Sequence, residues 1–486
     1  MTIFIILCIA ITLPFTLIRL LRWLAWSQQK EYRIDRIWNF LLSEEGISEL
    51  MRVIPTKKDF SRTGLKRPVI TIRSMMVFFL SLMLLGYTYS ISLNLSLWWL
   101  PFIIYLIIPL LPFISSFITE LIKLSISFVL LFIAQGKVNK NKPKIIGVTG
   151  SYGKTVTRHL CTSVIAQKYT IYTPPKSHNT PLSIAWDLIK NYKDQEIIFL
   201  EFAAYKKGEI KKLAHWFQPD ISLITGLTTQ HLALFGSLEN IIKAKGELVK
   251  ATKIDGIVFY NLMDPGAEKI CLQDESKKRS DYSPRNKDAF LKKGSLDSKA
   301  RLTTYWNDEK LTTNLIGMHH EETISAAISL GLLLEIPKNK IAKGINSFLP
   351  ENIFTQSYNH PKTNTLIIND GKTTNPKGFR SALEILSQYK KQNKNTILIT
   401  GGIVDLGDET ESIHLDLARA AKPIVDMVFY TGSDGKAAFK EVFENRMTDH
   451  LSTLINLIPK FNEDDVILIE GHIPLKLSAL LKRKND

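Results

Sequence analysis

The run Thr149-Gly150-Ser151-Tyr152-Gly153-Lys154-Thr155 stands between an apolar segment, 145–148, and a stretch of helical periodicity. These residue types suit a polyphosphate. Gly150 and Gly153 let the backbone N–H groups of a loop through Ser151 and Tyr152 close on oxygens. Lys154 neutralises charge, the Thr155 hydroxyl can ligate Mg²⁺, and the following helix N-terminus favours an anion. The general pattern has glycine where Val148 stands, so the strand–loop–helix context carries the reading against an incidental glycine-rich turn.

Other groups follow at comparable places. The apolar run 197–200 ends in Glu201, a carboxylate at a strand's carboxyl edge that can hold a nucleotide-bound metal. The run 221–225 leads to His231, which taken alone is more often a structural histidine. Phe235-Gly236-Ser237 then opens a helix bearing Lys243, Lys245 and Glu247. Short apolar runs alternating with longer amphipathic ones are the rhythm of a parallel α/β sheet. The first set is 145–148, 197–200, 221–225 and 257–260, and a second is 366–368, 396–400, 427–430 and 466–469. This places one domain at 143–314 and another at 315–486, with the lysine-rich stretch 273–301 read as a surface excursion.

The first third is of another kind. Residues 74–119 hold no Asp, Glu, Lys or Arg, and as one helix would be about 70 Å long against a bilayer core of about 30 Å. The segment therefore folds back, giving spans at about 75–93 and 97–118, with a third at about 2–22 and a short interfacial helix at 124–134. Twelve basic against six acidic residues between 19 and 73, and lysines at 123, 137, 140, 142 and 144, place both flanks in the cytoplasm. The expectation is a multi-pass protein of the cytoplasmic membrane, with 1–136 in contact with lipid and the remainder cytoplasmic. The 486 residues carry 62 Lys plus Arg against 46 Asp plus Glu, a net charge of +16, which suits an anionic membrane or phosphorylated substrates as well as nucleic acid. Three scattered cysteines, Cys8, Cys161 and Cys271, make neither a disulfide framework nor a paired-cysteine metal site. The oligomeric state stays open.

Taken in order, the soluble motifs resemble the Mur ligases, ATP-dependent enzymes that add amino acids or a dipeptide to the peptidoglycan precursor. Leu200-Glu201-Phe202-Ala203-Ala204 with Gly208-Glu209-Ile210, Pro219-Asp220-Ile221 through His231-Leu232, Phe235-Gly236-Ser237-Leu238-Glu239 and Ala244-Lys245-Gly246-Glu247 resemble the D-alanyl-D-alanine-adding member. Asn261-Leu262-Met263-Asp264-Pro265 is similar to the family's NxDDP, and Asp370-Gly371-Lys372-Thr373-Thr374-Asn375-Pro376 to DSKATNP. For the part that follows the transmembrane helices, the resemblance implies an α/β protein with a P-loop parallel-sheet ATPase domain and a Rossmann-like C-terminal domain.

It further implies ATP and Mg²⁺ as cofactors. Gly150, Ser151, Tyr152, Gly153, Lys154, Thr155, Asn261 and Asp370 would bind the nucleotide, and Thr155, Glu201 and His231 would serve the metal. Lys154, Lys245, His231 and Lys372 would take part in catalysis, Lys245 standing where several members carry a carbamylated lysine. The reaction implied is amide formation through an acyl phosphate, between a small-molecule or lipid-linked peptidoglycan precursor and a dipeptide or amino acid, with no nucleic acid involved. The chain departs from the family in reading His319-His320-Glu321-Glu322-Thr323 where asparagines flank the adenine, and in having membrane spans where the UDP-sugar-recognising domain stands. A polyglutamate-type or lipid-linked-acceptor ligase, or a catalytically degenerate scaffold, remain alternatives.

Overall fold

A computed structural model describes residues 1–55, 68–175, 179–204, 206–228, 235–351, 354–371, 375–404, 406 and 409–481. It divides into two compact units, 1–130 and 131–486.

In the first unit, α1 (Thr2–Gln29) is followed by the short helices α2 (Ile34–Leu42) and α3 (Glu44–Met51), then α4 (Ile72–Asn94) and α5 (Leu100–Ile107). A 32-residue helix, α6 (Leu110–Asn141), runs on into the second unit. Three helices, α1, α4 and α6, are long and apolar enough to cross a membrane. The third differs from the expected span at 97–118. Pro109 has no N–H and its ring clashes with the preceding turn, so the apolar run breaks between α5 and α6, and α6 absorbs the segment expected as a separate helix at 124–134.

The same break leaves the Tyr105 carbonyl without its helical donor. Arg19 supplies one from α1 at 3.3 Å and also donates to the Leu50 carbonyl at 3.1 Å. One helical turn along, Arg22 pairs with Glu49 at 2.6 Å. Both arginines are buried, so their charges are tolerated only because carbonyls and a carboxylate from α3, α5 and the adjoining chain meet them.

The second unit holds two parallel sheets. In the first, strands β1 (Lys144–Thr149), β2 (Ile171–Tyr172), β3 (Ile197–Glu201), β4 (Ile221–Ile224), β5 (Ile257–Asn261) and β6 (Lys278–Tyr282) stand in the order β2-β3-β1-β4-β5-β6. β1, β3 and β4 are almost wholly buried, which is why they read as unbroken apolar runs. The chain leaves β1 toward β2 and β3, then returns across β1 to β4. The order thus reverses at the carboxyl end of β1, where open α/β sheets bind ligands.

A three-stranded antiparallel sheet follows, β7 (Leu291–Leu296), β8 (Arg301–Trp306) and β9 (Glu309–Ile316). The stretch 273–301, expected as a surface excursion, therefore contributes β6 and β7. Its charged residues point outward while Tyr282, Ala289 and Leu291 enter the core. The helices α12 (His320–Leu333) and α13 (Lys338–Asn346) share that core with α7 (Lys154–Ile165), through Val164, Ile324, Ile328 and Ile341. The division expected at 314/315 thus falls inside one packed body, because α12 is buried on most of its circumference.

The second parallel sheet begins with β10 (Gln356–Asn359), antiparallel to β11 (Leu366–Asp370). It continues through β15 (Asp465–Glu470), β12 (Asn395–Thr400), β13 (Met427–Tyr430) and β14 (Met447–Thr448) in the order β10-β11-β15-β12-β13-β14. Helices α8 (Pro181–Asn191), α9 (Glu209–Trp216), α10 (Leu238–Ala251), α11 (Pro265–Cys271), α14 (Pro376–Lys390), α15 (Thr410–Ala421), α16 (Lys436–Phe443), α17 (Leu451–Leu457) and α18 (Leu475–Leu480) complete the unit.

Candidate active site

The loop 149–155 leaves β1 and enters α7 at Gly153, whose φ of +72° is the left-handed conformation that favours glycine. At Gly150 a side chain would meet the Thr225 hydroxyl at 2.0 Å and the Gly226 backbone at 3.1 Å, so the loop needs glycine there for close approach. Its carbonyls are tied to neighbouring elements. Thr225 donates to the Thr149 and Tyr152 carbonyls at 3.2 and 2.5 Å, and Lys245 of α10 donates to the Gly150 carbonyl at 2.9 Å. The amides at the start of α7 have no intrahelical acceptor. With the loop's carbonyls so engaged and its Ser151 amide given to the Gly226 carbonyl at 2.7 Å, the amides at the start of α7 are the ones placed to cradle phosphate oxygens.

Beside it, Thr155 donates to Glu201 Oε2 at 2.9 Å across adjacent strand ends. Glu201 is 3% exposed and also lies 3.8 Å from the Arg158 guanidinium. The described residues include no cluster of three or more histidines, cysteines and carboxylates that would cage a metal by themselves. One hydroxyl and one carboxylate suit Mg²⁺, which keeps several waters and takes oxygens from bound phosphate.

Two lysines stand close together here. Burial pushes Lys154 below the usual lysine range, with the Glu201 charge opposing. Burial pushes Lys245 well below it, Lys154 adding in the same sense. Lys245 is thus biased toward the neutral amine, with the Glu201 charge opposing that bias on both lysines.

A cleft runs from the loop to the C-terminal sheet. Gly153, Asn261, His319 and Glu322 line one side, and Asp370, Asn375 and Lys377 the other. Asn261 donates to Glu322 at 2.6 Å and to the Thr225 carbonyl at 3.1 Å. Asp370 accepts from Thr355 at 2.8 Å, and Asn375 caps α14 by accepting from the Gly378 amide at 2.9 Å. Burial lowers His319 to about 4, so it is neutral at pH 7, and raises Glu322 above the usual carboxylate range, with Lys377 opposing.

The profile of the Mur ligase middle domain matches residues 148–331, and that of the Mur ligase glutamate ligase domain matches 358–473. The chain belongs to the Mur ligases. This is a family of ATP-dependent amide-bond ligases. The UDP-N-acetylmuramoyl-tripeptide–D-alanyl-D-alanine ligase of Bacillus subtilis is 25% identical over 352 residues, covering 70% of this chain and 75% of that protein. The enzyme of the same name from Mycobacterium tuberculosis is 26% identical, with 57% of this chain matched to 56% of the relative. The chain thus spans little more than half of the mycobacterial relative's length. The crystal structure of the MurF ligase from Thermotoga maritima in complex with ADP superposes with a TM-score of 0.63 at 20% identity, covering 73% of this chain and 82% of that one. The two share a fold.

Against this Mur ligase frame, the structure brings Gly150, Ser151, Tyr152, Gly153, Lys154, Thr155, Glu201 and Lys245 to one end of the cleft, and Asn261 and Asp370 to its walls. His231 and Lys372 lie outside the described residues. Two residues beyond those expected from sequence stand in the site. Arg158, one turn after Lys154 on α7, is 1% exposed and approaches Glu201. Lys377 reaches from the first turn of α14 to the Tyr152 side chain of the phosphate loop and to Asp264. Each had a local signal: the i+4 spacing for Arg158, and the Asn375-Pro376 helix start for Lys377.

Proposed function

We propose that this chain is a membrane-anchored, MurF-like ligase that joins a dipeptide such as D-Ala-D-Ala, or an amino acid, to a peptidoglycan precursor at the cytoplasmic face. The observation that carries the reading is the phosphate cradle, with Lys154, Thr155–Glu201 and Lys245 converging on it at the sheet's switch point. ATP with Mg²⁺, when bound, supplies the phosphoryl group that makes a substrate carboxylate an acyl phosphate, which the amine converts to an amide with release of phosphate.

The protein's own part is positioning and electrostatics. Loop amides and Lys154 orient and neutralise the phosphates, and Thr155 with Glu201 presents oxygens for the metal. A neutral Lys245 is the form that adds CO₂, and the resulting carbamate would place an anion beside Lys154. Asn261 and Asp370 offer polar contacts along the cleft.

The three apolar helices favour a second reading in which the acceptor is lipid-linked, because an anchored site stays within reach of the bilayer surface. Purified protein supplied with Mg-ATP, D-Ala-D-Ala and either UDP-linked or lipid-linked muropeptide decides between them. Mass spectrometry is expected to show one acceptor gaining the dipeptide, and no product from either would overturn the proposal.

A further inference from the structure

Tyr152 occupies the middle of the phosphate loop, yet its side chain leaves the loop. The phenol donates to Asp264 Oδ2 at 2.6 Å and accepts from the Lys377 ammonium. Lys377 also pairs with Asp264 Oδ2 at 3.1 Å and lies over the Tyr152 ring at 4.3 Å from its centre. Asp264 is 5% exposed and fixed from the other side. Its Oδ1 accepts from the Leu227 and Ala267 amides at 3.2 and 2.9 Å, capping α11. The ring fits because residue 226 is glycine, where a Cβ would stand 2.2 Å from the phenol oxygen. A cation on the C-terminal domain is thereby held against a side chain of the phosphate loop.

Lys377 is the one lysine or arginine among the described residues lining the cleft beyond that loop, where Glu322 and Asp370 supply negative charge. A polyphosphate seated on the loop competes with Asp264 for the same ammonium, whose flexible stem lets it turn.

We propose that Lys377 is a switchable phosphate ligand. In the nucleotide-free protein Asp264 and Tyr152 hold its ammonium, and a nucleotide's polyphosphate takes it over, fastening the C-terminal domain to the filled loop. The inference rests on the ATP-dependent ligase reading and adds a positioning residue to it.

The test is nucleotide binding by the full-length protein in detergent, measured by calorimetry with ADP and with adenosine for wild type, Lys377→Met, Lys377→Arg and Asp264→Asn. Loss of one charge-assisted hydrogen bond at a partly exposed site predicts roughly tenfold weaker ADP binding for Lys377→Met. Adenosine binding is unchanged, the salt dependence of ADP binding is smaller, and Lys377→Arg recovers most of the affinity. Asp264→Asn keeps an oxygen for the cap but removes the competing charge, so ADP binds more tightly, and in the Lys377→Met background that gain disappears.

Opposite signs for the two single variants are what a purely structural ion pair does not produce. If both weaken ADP equally at unchanged unfolding midpoints, or if Lys377→Met weakens adenosine as much as ADP, the inference is overturned. Should Lys377→Met not fold, the sign of Asp264→Asn and the salt slope of Lys377→Gln, which also removes the charge, decide it. Wild-type protein that binds no ADP overturns the ligase reading together with this one, whereas wild-type binding with an unaffected Lys377→Met overturns this one alone.

Discussion

Gly226→Ala isolates the packing that carries Tyr152 out of the phosphate loop. The new Cβ would lie 2.2–2.4 Å from the phenol oxygen and two ring carbons. The backbone at 226 cannot simply retreat, because its carbonyl accepts the Ser151 amide at 2.7 Å. The ring must leave, losing a hydrogen bond to a carboxylate, about 1.5–3 kcal/mol, and the cation–π contact with Lys377, about 0.5–1 kcal/mol. The expected destabilisation is therefore about 2–4 kcal/mol.

Tyr152→Ala removes the same interactions and the obstacle with them, so adding Gly226→Ala to it costs almost nothing. A double-mutant cycle by denaturant unfolding is thus predicted to show a coupling of about 2 kcal/mol or more between the two positions. If Gly226→Ala costs as much in the Tyr152→Ala background as in wild type, the steric account of this loop is wrong.

Three further outcomes follow from the same structure. His319 is held near a pKa of about 4 by burial against an unfolded value of about 6.5. The unfolded chain therefore binds the extra proton first, and stability is full above pH 6.5 and falls as pH drops toward 4, by at most about 3 kcal/mol. Unfolding midpoints across that window should show a shallower fall for His319→Gln, and an identical slope would refute the assignment. Lys245→Arg places a guanidinium that keeps its charge at a 5% exposed site beside Lys154. Stability should drop by roughly 3 kcal/mol and ligation should be lost, whereas a fully active, stable variant would remove any need for a neutral Lys245. Ser96 is exposed in the turn after α4, and the three natural cysteines are buried. Ser96→Cys should react with an impermeant maleimide applied outside intact cells, and labelling only after lysis would contradict the proposed topology.

The sequence was informative where one segment determines its own surroundings. The eight apolar runs of the soluble part correspond to β1, β3, β4, β5, β11, β12, β13 and β15 because central parallel strands are buried on both faces. The edge strand β6, Lys-Arg-Ser-Asp-Tyr, escaped notice because only Tyr282 is buried in it, and β7 because its inward residues are separated by lysines and a glycine. Pro109 interrupts a long uncharged run whose composition alone sets the start of the third apolar helix about a dozen residues too early.

In the site, the phosphate loop and Glu201 were legible as strand ends that carry their own chemistry. Lys377 was not, since its partners Tyr152 and Asp264 lie more than 100 residues away and only tertiary structure joins them. Arg158 is hidden from the sequence for a similar reason. Its burial against Glu201 and the Pro174 carbonyl, at 2.7 Å, depends on β2 and β3 having assembled.

The central claim is that the converging loop, lysines and carboxylate make an acceptor-dependent ligase. Phosphate release by the detergent-purified protein with Mg-ATP, D-Ala-D-Ala and UDP-linked or lipid-linked muropeptide tests it most directly, with Lys154→Ala as the blank. Release that requires one acceptor and vanishes in the variant is the predicted result; silence with every acceptor from folded protein that binds ADP would contradict it.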